Sequence, residues 1–417
     1  MAGGRHQTTP GQGCDFVGGS AFPKAAQGET IGKYPFIKVS DMNLAGNERY
    51  INVANNWINE ATRSKLKAKV HPTEATVFAK IGIALTYNRR RLLRQPTSID
   101  NNMMSAVPRD GVVHPLFFYY LLCTIDFNRI VLGSALPYLN ISDLKRIPVS
   151  IPSLPEQQAI AYILGALDDK IELNRRMNET LEGIVRAIFK SWFVGFDPVR
   201  AKATGQQPPG LAPHVADLFP DEFEESELEE IPKGWKVTTI GSIASVSSGK
   251  RPVLRFDELT ETATIPLWGG NGPMAYVETP LFTNPILLTG RVGTLGSVFR
   301  VTSPCWPSDN ALILQPNDGK SFEFLYFVLG HIDYESLNRG STQPLLTQTD
   351  LKAQQCVFPN SEVIGQFHAI AGSMFDRIDR AGDEIGILSS LRDTLLPKLI
   401  SGELRVPDAE RIVGRCL

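Results

Sequence analysis

The chain has 417 residues, 42% of them hydrophobic, with 42 basic and 44 acidic side chains and a net charge of −2. At one domain per ~150 residues, that length suggests two or three domains, each able to bury a core. Five scattered cysteines, none in a Cys-x-x-Cys pair, argue against a disulfide framework or structural zinc and fit a reducing cytosol. No apolar run approaches the ~20 residues of a membrane span. The start, Met1-Ala2-Gly3-Gly4-Arg5-His6, has no apolar signal-peptide core.

Near-neutrality looks wrong for a nucleic-acid binder until the charge is located. Eight acids lie between Leu211 and Ile231 (Asp217, Asp221, Glu222, Glu224, Glu225, Glu227, Glu229 and Glu230), with no Lys or Arg among them; the remainder of the chain carries +6. The average hides a mildly basic body and one acidic segment.

Taken in order, the chain reads as one unit written twice. Residues 1–152 are mixed, with short β-like runs such as Tyr34–Val39 among Gly, Pro and Asn turns. Residues 153–195 read as one long helix. Ser153-Leu154-Pro155-Glu156 offers a capping box with Pro in the first turn. Ile160, Leu164, Leu167, Ile171, Asn174, Asn178, Leu181, Val185, Ile188 and Trp192 then step by fours and threes. Residues 196–233 are an acidic linker containing Gly205-Gln206-Gln207-Pro208-Pro209-Gly210. Residues 234–359 repeat the mixed part, with Ala311–Leu314 and Ile265–Trp268 as further β-like runs. Residues 360–405 repeat the helix, and 406–417 form a tail.

The duplication is explicit at a constant shift of 207. Phe117–Pro152 laid on Phe324–Pro359 gives thirteen identities in 36 positions without a gap, among them Gly133/Gly340, Ser134/Ser341, Pro137/Pro344 and Asp143/Asp350. Ser98–Pro108 resembles Trp306–Pro316 around Asn102/Asn310, and Gly4–Gly11 lies on Gly234–Gly241. The shift gives the second helix the seam Phe367, Ala371, Met374, Ile378, Ala381, Ile385, Leu388, Arg392, Leu395 and Leu399. A seam held over four heptads, twice and in one phase, favours coiled-coil pairing over two ordinary core helices. Asn174 and Asn178 sit where apolar residues belong, which costs stability but fixes register. The expected fold is α+β: two mixed α/β recognition domains, each followed by a long helix, the helices pairing as an antiparallel coiled coil with pseudo-twofold symmetry.

A search for catalysis comes back empty. Ser248-Gly249-Lys250-Arg251 ends like a phosphate loop but lacks the Ser or Thr after Lys and the earlier Gly. Six histidines form no ligand cluster. Pro220-Asp221 with Glu229 and Lys233 mimics a nuclease pattern, but inside the acidic segment, where a solvated loop is the better reading. Ser134 and Ser341 are not flanked as nucleophile elbows.

A twofold scaffold with two different heads can read a split DNA site. Candidate contacts in the first head are Lys24, Lys38, Lys80, Tyr87, Arg89, Arg90 and Arg91. In the second they are Lys250, Arg251, Arg255, Asn271, Arg291 and Arg339. Arg and Lys hold phosphates or read guanine, and Asn reads adenine. A run such as Arg89-Arg90-Arg91 is often just a solvated face; DNA contact is the preferred reading here. The Gly-Ser-x-x-Pro loops, with Ser134 in one copy and Ser341, Thr342 and Gln343 in the other, are either turns docking head to helix or backbone N–H loops near phosphate.

These residues carry a family resemblance. Gly133 to Pro152 followed by Leu154-Pro155-Glu156-Gln157-Gln158, and Gly340-Ser341-Thr342-Gln343-Pro344 through Asp350-Leu351, resemble the recognition-domain endings of specificity subunits of type I restriction–modification enzymes. Ser191–Val199 and Leu396–Leu404 are similar to the ends of their two helices, and Tyr34–Met42 to an early strand. The resemblance implies a subunit without chemistry of its own, cytoplasmic, each head reading half of a bipartite asymmetric site. The helices act as ruler and as dock for two modification subunits. Those carry S-adenosylmethionine and methylate adenine; motor–nuclease subunits use ATP and Mg2+. The alternative is an orphan or degenerate scaffold that binds partner subunits without reading DNA. The chain departs from the pattern at Arg5, where the second unit has Trp235, and at Ser361-Glu362-Val363-Ile364, which replaces the Leu-Pro-Glu-Gln helix start.

Overall fold

The computed structural model describes residues 4–133, 135–340 and 343–414. Two units separate: Met1–Arg175 with Gly382–Leu417, and Arg176–Ala381. Among the described residues no helix is long and apolar enough to cross a membrane.

In the first unit a five-stranded sheet has the order Cys14–Gly18, Met103–Pro108, Thr76–Ala79, Arg90–Leu93, Tyr50–Ile51. Neighbours are antiparallel except the last pair, Tyr50–Ile51 running parallel to Arg90–Leu93. A three-stranded sheet carries Tyr34–Ile37 between Trp57–Ile58 and Ser98–Ile99. Thr76–Ala79 is buried on both faces, as a central strand with an uninterrupted apolar run should be. The helix Pro115–Thr124 opens on proline and buries Phe117 to Leu122 in sequence; a helix apolar all round belongs inside.

The second unit repeats this plan. Its four-stranded sheet has the order Ala244–Ser248, Ala311–Pro316, Ile286–Gly290, Val298–Val301, and Ile265–Gly269 lies between Gly272–Val277 and Trp306–Pro307. The entry strands match too: His6–Thr8 pairs with Val149–Ile151, and Lys236–Thr239 with Gln355–Phe358. Arg5 and Trp235, the mismatched pair, each close a helix end in their own unit. The Arg5 guanidinium donates to the carbonyls of Leu399 (2.8 Å) and Ile400 and meets Glu156 at 3.5 Å. A cation suits the unsatisfied carbonyls of a helix C-terminus. Trp235 packs on Phe193 and Phe196, at ring distances of 6.0 and 5.7 Å.

The long helices are Leu154–Phe189, continued by one π-helical turn at Lys190–Val194, and Ser361–Ser401. Inside the first unit, Ile160, Leu164, Leu167 and Ile171 share a buried cluster with Leu388, Leu395 and Leu399. Inside the second, Val185, Phe189 and Trp192 share one with Phe367, Ala371 and Phe375. The early half of one helix thus meets the late half of the other, which is antiparallel pairing. The polar seam residues hold that register: Asn174 donates to Glu384 (2.9 Å), and Asn178 to the Ile378 carbonyl (3.4 Å). The seam is wider than a strict coiled coil, because each helix also packs on a head; Ile160 and Leu164 share their cluster with Phe117 and Phe118.

Two stretches differ from expectation. The segment 196–233, read as a linker, carries helices Asp197–Ala203 and Pro213–Ala216 and a hairpin of Phe223–Glu225 with Glu230–Pro232. Val199, Val215, Phe219 and Ile231 enter the aromatic cluster of Trp192 and Trp235, while most of the acids face solvent. In the tail, Val406–Val413 is a helix that buries Ala409 and Val413.

The first unit also holds a buried ionic knot. Asp168 accepts from Tyr120 (2.6 Å) and Arg392 (2.7 Å) and lies 3.8 Å from Arg49. This explains why Arg392 occupies a seam position. Asp168→Ala leaves the buried Tyr120 hydroxyl unpaired and takes the shared partner from two half-buried arginines, which keep Asp169 and Asp393, and should cost about 1–3 kcal/mol. Thermal unfolding measures it; a loss below 1 kcal/mol would mean the knot is screened by solvent.

Candidate nucleic-acid interface

Each head places a cation at one equivalent backbone position. Lys80 follows the central strand Thr76–Ala79, and Arg291 follows Ile286–Gly290. The Lys80 N–H donates to the Asn102 carbonyl and the Arg291 N–H to that of Asn310, both at 2.9 Å. Their own carbonyls accept from Leu139 and Leu346, both at 2.8 Å. Two residues on, Gly82 donates to the Pro137 carbonyl (2.8 Å) and Gly293 to that of Pro344 (3.0 Å). The described parts of the Gly-Ser-x-x-Pro turns therefore brace the loop that bears the cation. Ser134, Ser341 and Thr342 lie outside the described residues; Gln343 is exposed. A Cβ on Gly340 would sit 1.8 Å from the Gln343 carbonyl oxygen, which is why this turn takes glycine.

A second shared feature lies where the first strand of each main sheet ends. A Cβ on Gly19 would fall 1.9 Å from the Asp100 carbonyl oxygen, and one on Gly249 2.2 Å from that of Ser308. The backbone is pinned there, and the loop that leaves it carries Lys24 in one head and Lys250, Arg251 and Arg255 in the other, all exposed.

In the first head Lys38 and Lys80 are half-buried around the Asp100 carboxyl. Burial pushes that carboxyl above the usual range, the two lysine charges pull it down, and Asp41 pushes it up again. Lys38 also donates to Gln27 (3.2 Å). The arginine run divides, as strand alternation requires. Arg89 lies 4.8 Å over the exposed Tyr87 ring and bonds Asn43. Arg90 turns inward; it is 3% exposed, stacks 3.7 Å from the Phe127 ring and donates to the carbonyls of Asn88 and Ile125. As a DNA contact it is corrected: it braces the head. Arg91 is half-buried and donates to the carbonyls of Met42 (3.1 Å) and Arg90 (2.8 Å).

In the second head a cleft of about 520 Å³ is lined by Arg251, Arg255, Met274, Asp309 and Asn310. Arg255 faces Asp257 at 3.9 Å. Asn271 is exposed at the tip of the Gly269–Gly272 hairpin turn. Arg339 stands apart: it grips Asp350 at 2.8 and 3.2 Å, and that grip, with Thr347, lowers the Asp350 carboxyl to about 2. A phosphate would have to compete with that carboxylate for Arg339. Asn102 and Asn310 were legible as repeat markers but not as neighbours of the cations; Met274 carried no signal. Among the described residues no three His, Cys, Asp or Glu side chains gather as a metal site.

Comparison with known proteins sets this geometry in context. The family model for the type I restriction modification DNA specificity domain matches residues 12–183 and 232–381. The chain is 28% identical over 411 residues to the type I restriction enzyme MjaIX specificity subunit of Methanocaldococcus jannaschii, across 90% of this chain and 88% of that protein. It is 26% identical over 381 residues to the HindI specificity subunit of Haemophilus influenzae, across 73% of this chain and 81% of that one. The crystal structure of a type I restriction–modification S subunit from M. genitalium shares the fold, with a TM-score of 0.61 at 18% identity over 95% of this chain and 96% of that chain.

Proposed function

Because the chain belongs to the type I restriction–modification DNA specificity family, we propose that each of its heads reads one half of a bipartite, asymmetric DNA site while the paired helices set the gap. Its role is DNA sequence recognition within a type I complex. The observation that carries the two-reader scheme is the repeated cation: Lys80 and Arg291 share one backbone frame, yet their surroundings differ. One stands among lysines around Asp100; the other lies in a head whose cleft carries Asn310 and Met274. Equivalent cations hold phosphates in one register, and the differing groups around them read different bases.

The finer assignments follow the family. Two modification subunits dock on the helices and transfer methyl groups from S-adenosylmethionine. Motor–nuclease subunits supply ATP- and Mg2+-dependent cleavage, all in the cytoplasm, and this chain contributes recognition without catalysis. A scaffold that reads no DNA is not favoured, since the matched relatives are specificity subunits and both heads keep the basic position.

Lys80→Ala and Arg291→Ala, each assembled with the modification subunits, test this. Each should weaken binding about uniformly across sequences and lower the slope of log affinity against log salt by about 1. Unaltered affinity and slope in both variants would remove the two positions from the interface.

A further inference from the structure

We propose that Pro252-Val253-Leu254 is an apolar wedge that enters a base-pair step of the half-site read by the second head. The inference rests on the recognition reading above and adds a DNA-deforming element to it. Single exposed apolar residues are ordinary on any surface. This site is different in three respects. Val253 is 104% exposed and its neighbour Leu254 60%, so neither contributes much to the core. Both stand between two exposed arginines, Arg251 and Arg255, which supply charge complementary to phosphate on either side of the apolar pair. And the loop is mounted rigidly. Gly249 is pressed against the carbonyls of Pro307 and Ser308, the Lys250 N–H donates to the Pro307 carbonyl (3.0 Å), and the Trp306 indole donates to the Lys250 carbonyl (2.7 Å). Pro252 then restricts the backbone just before the tip.

Proteins that deform DNA from the minor groove combine these parts: basic side chains for the phosphates and a short apolar projection, often Leu or Pro, that unstacks a step. Pro252 and Val253 line one side of the cleft of this head, opposite Met274 and Asn310. The first head is built otherwise. Its corresponding loop exposes one large hydrophobic side chain, Ile31 (86%), two residues after Glu29, and its Lys33 pairs with Glu60 at 3.5 Å. The wedge therefore belongs to one half-site only.

The test uses the chain assembled with its modification subunits and a duplex carrying the methylated motif of the host. 2-Aminopurine is placed in turn at each step of both half-sites, away from the methylated adenines, which methyltransferases flip themselves. The wild-type complex should brighten the probe at one step in one half-site. The double variant Val253→Ser/Leu254→Ser should lose that signal and bind about tenfold more weakly, with its salt slope unchanged. Arg251→Ala/Arg255→Ala should do the reverse, keeping the signal and losing slope. Brightening that persists in the serine variant, or tight wild-type binding without brightening at any step, overturns the wedge and leaves recognition standing. No binding to any duplex overturns both.

Discussion

Inserting one heptad into each long helix, after Arg176 and after Ala381, should lengthen the gap between the two recognised half-sites and abolish recognition of the original site. Within each unit the early half of one helix meets the late half of the other. Seven residues added to both extend the paired stretch while keeping the seam in phase. At 1.5 Å per residue the gain is ~10 Å, up to about three base pairs at 3.4 Å each. Asn174 and Glu384 stay together on one side of the insertions, and Asn178 and Ile378 on the other, so register survives. Selection of bound duplexes from a pool with variable gaps measures the outcome. An unchanged gap would refute the helices as ruler. Inserting four residues in one helix alone should instead break the seam and destabilise the chain.

Exchange of residues 4–152 for the first head of a relative should replace one half-site entirely and leave the other as it was. The head's own sheets, its entry strand and its brace on the cation loop are internal to 4–152. What must be matched is the surface that meets the helices: Phe117, Phe118 and Tyr120 against Ile160, Leu164 and Asp168, Arg5 against Leu399, Ile400 and Glu156, and Arg49 against Asp168. A chimera that keeps these side chains should fold, and one that loses Tyr120 weakens the Asp168 knot. If the chimera alters both half-sites, the heads are not independent readers.

The sequence made the duplication and the helices plain because both are one-dimensional signals. A heptad seam needs only spacing, and Asn174 and Asn178 announce themselves as polar residues in an apolar row. The interface was harder. Lys80 and Arg291 were both singled out as basic loop residues, but their equivalence is hidden. They are out of step with the constant shift that relates the aligned segments, and only the paired hydrogen bonds to Asn102 and Asn310 reveal it. Arg90 is buried although three arginines in a row read as a surface feature. Which one turns inward depends on the strand's phase against Phe127. The acidic segment failed for a related reason. Its buried residues, Val199, Val215, Phe219 and Ile231, follow neither a 3.6 nor a 2.0 period, so charge density dominated the reading.

The most direct test of the central claim is a single-molecule methylome of the host with and without this gene. Loss of N6-methyladenine at one split, asymmetric motif is the predicted result, and it delivers both half-sites and the gap at once. A methylome unchanged by deletion, in a host whose modification subunits are expressed, would contradict a two-headed DNA reader.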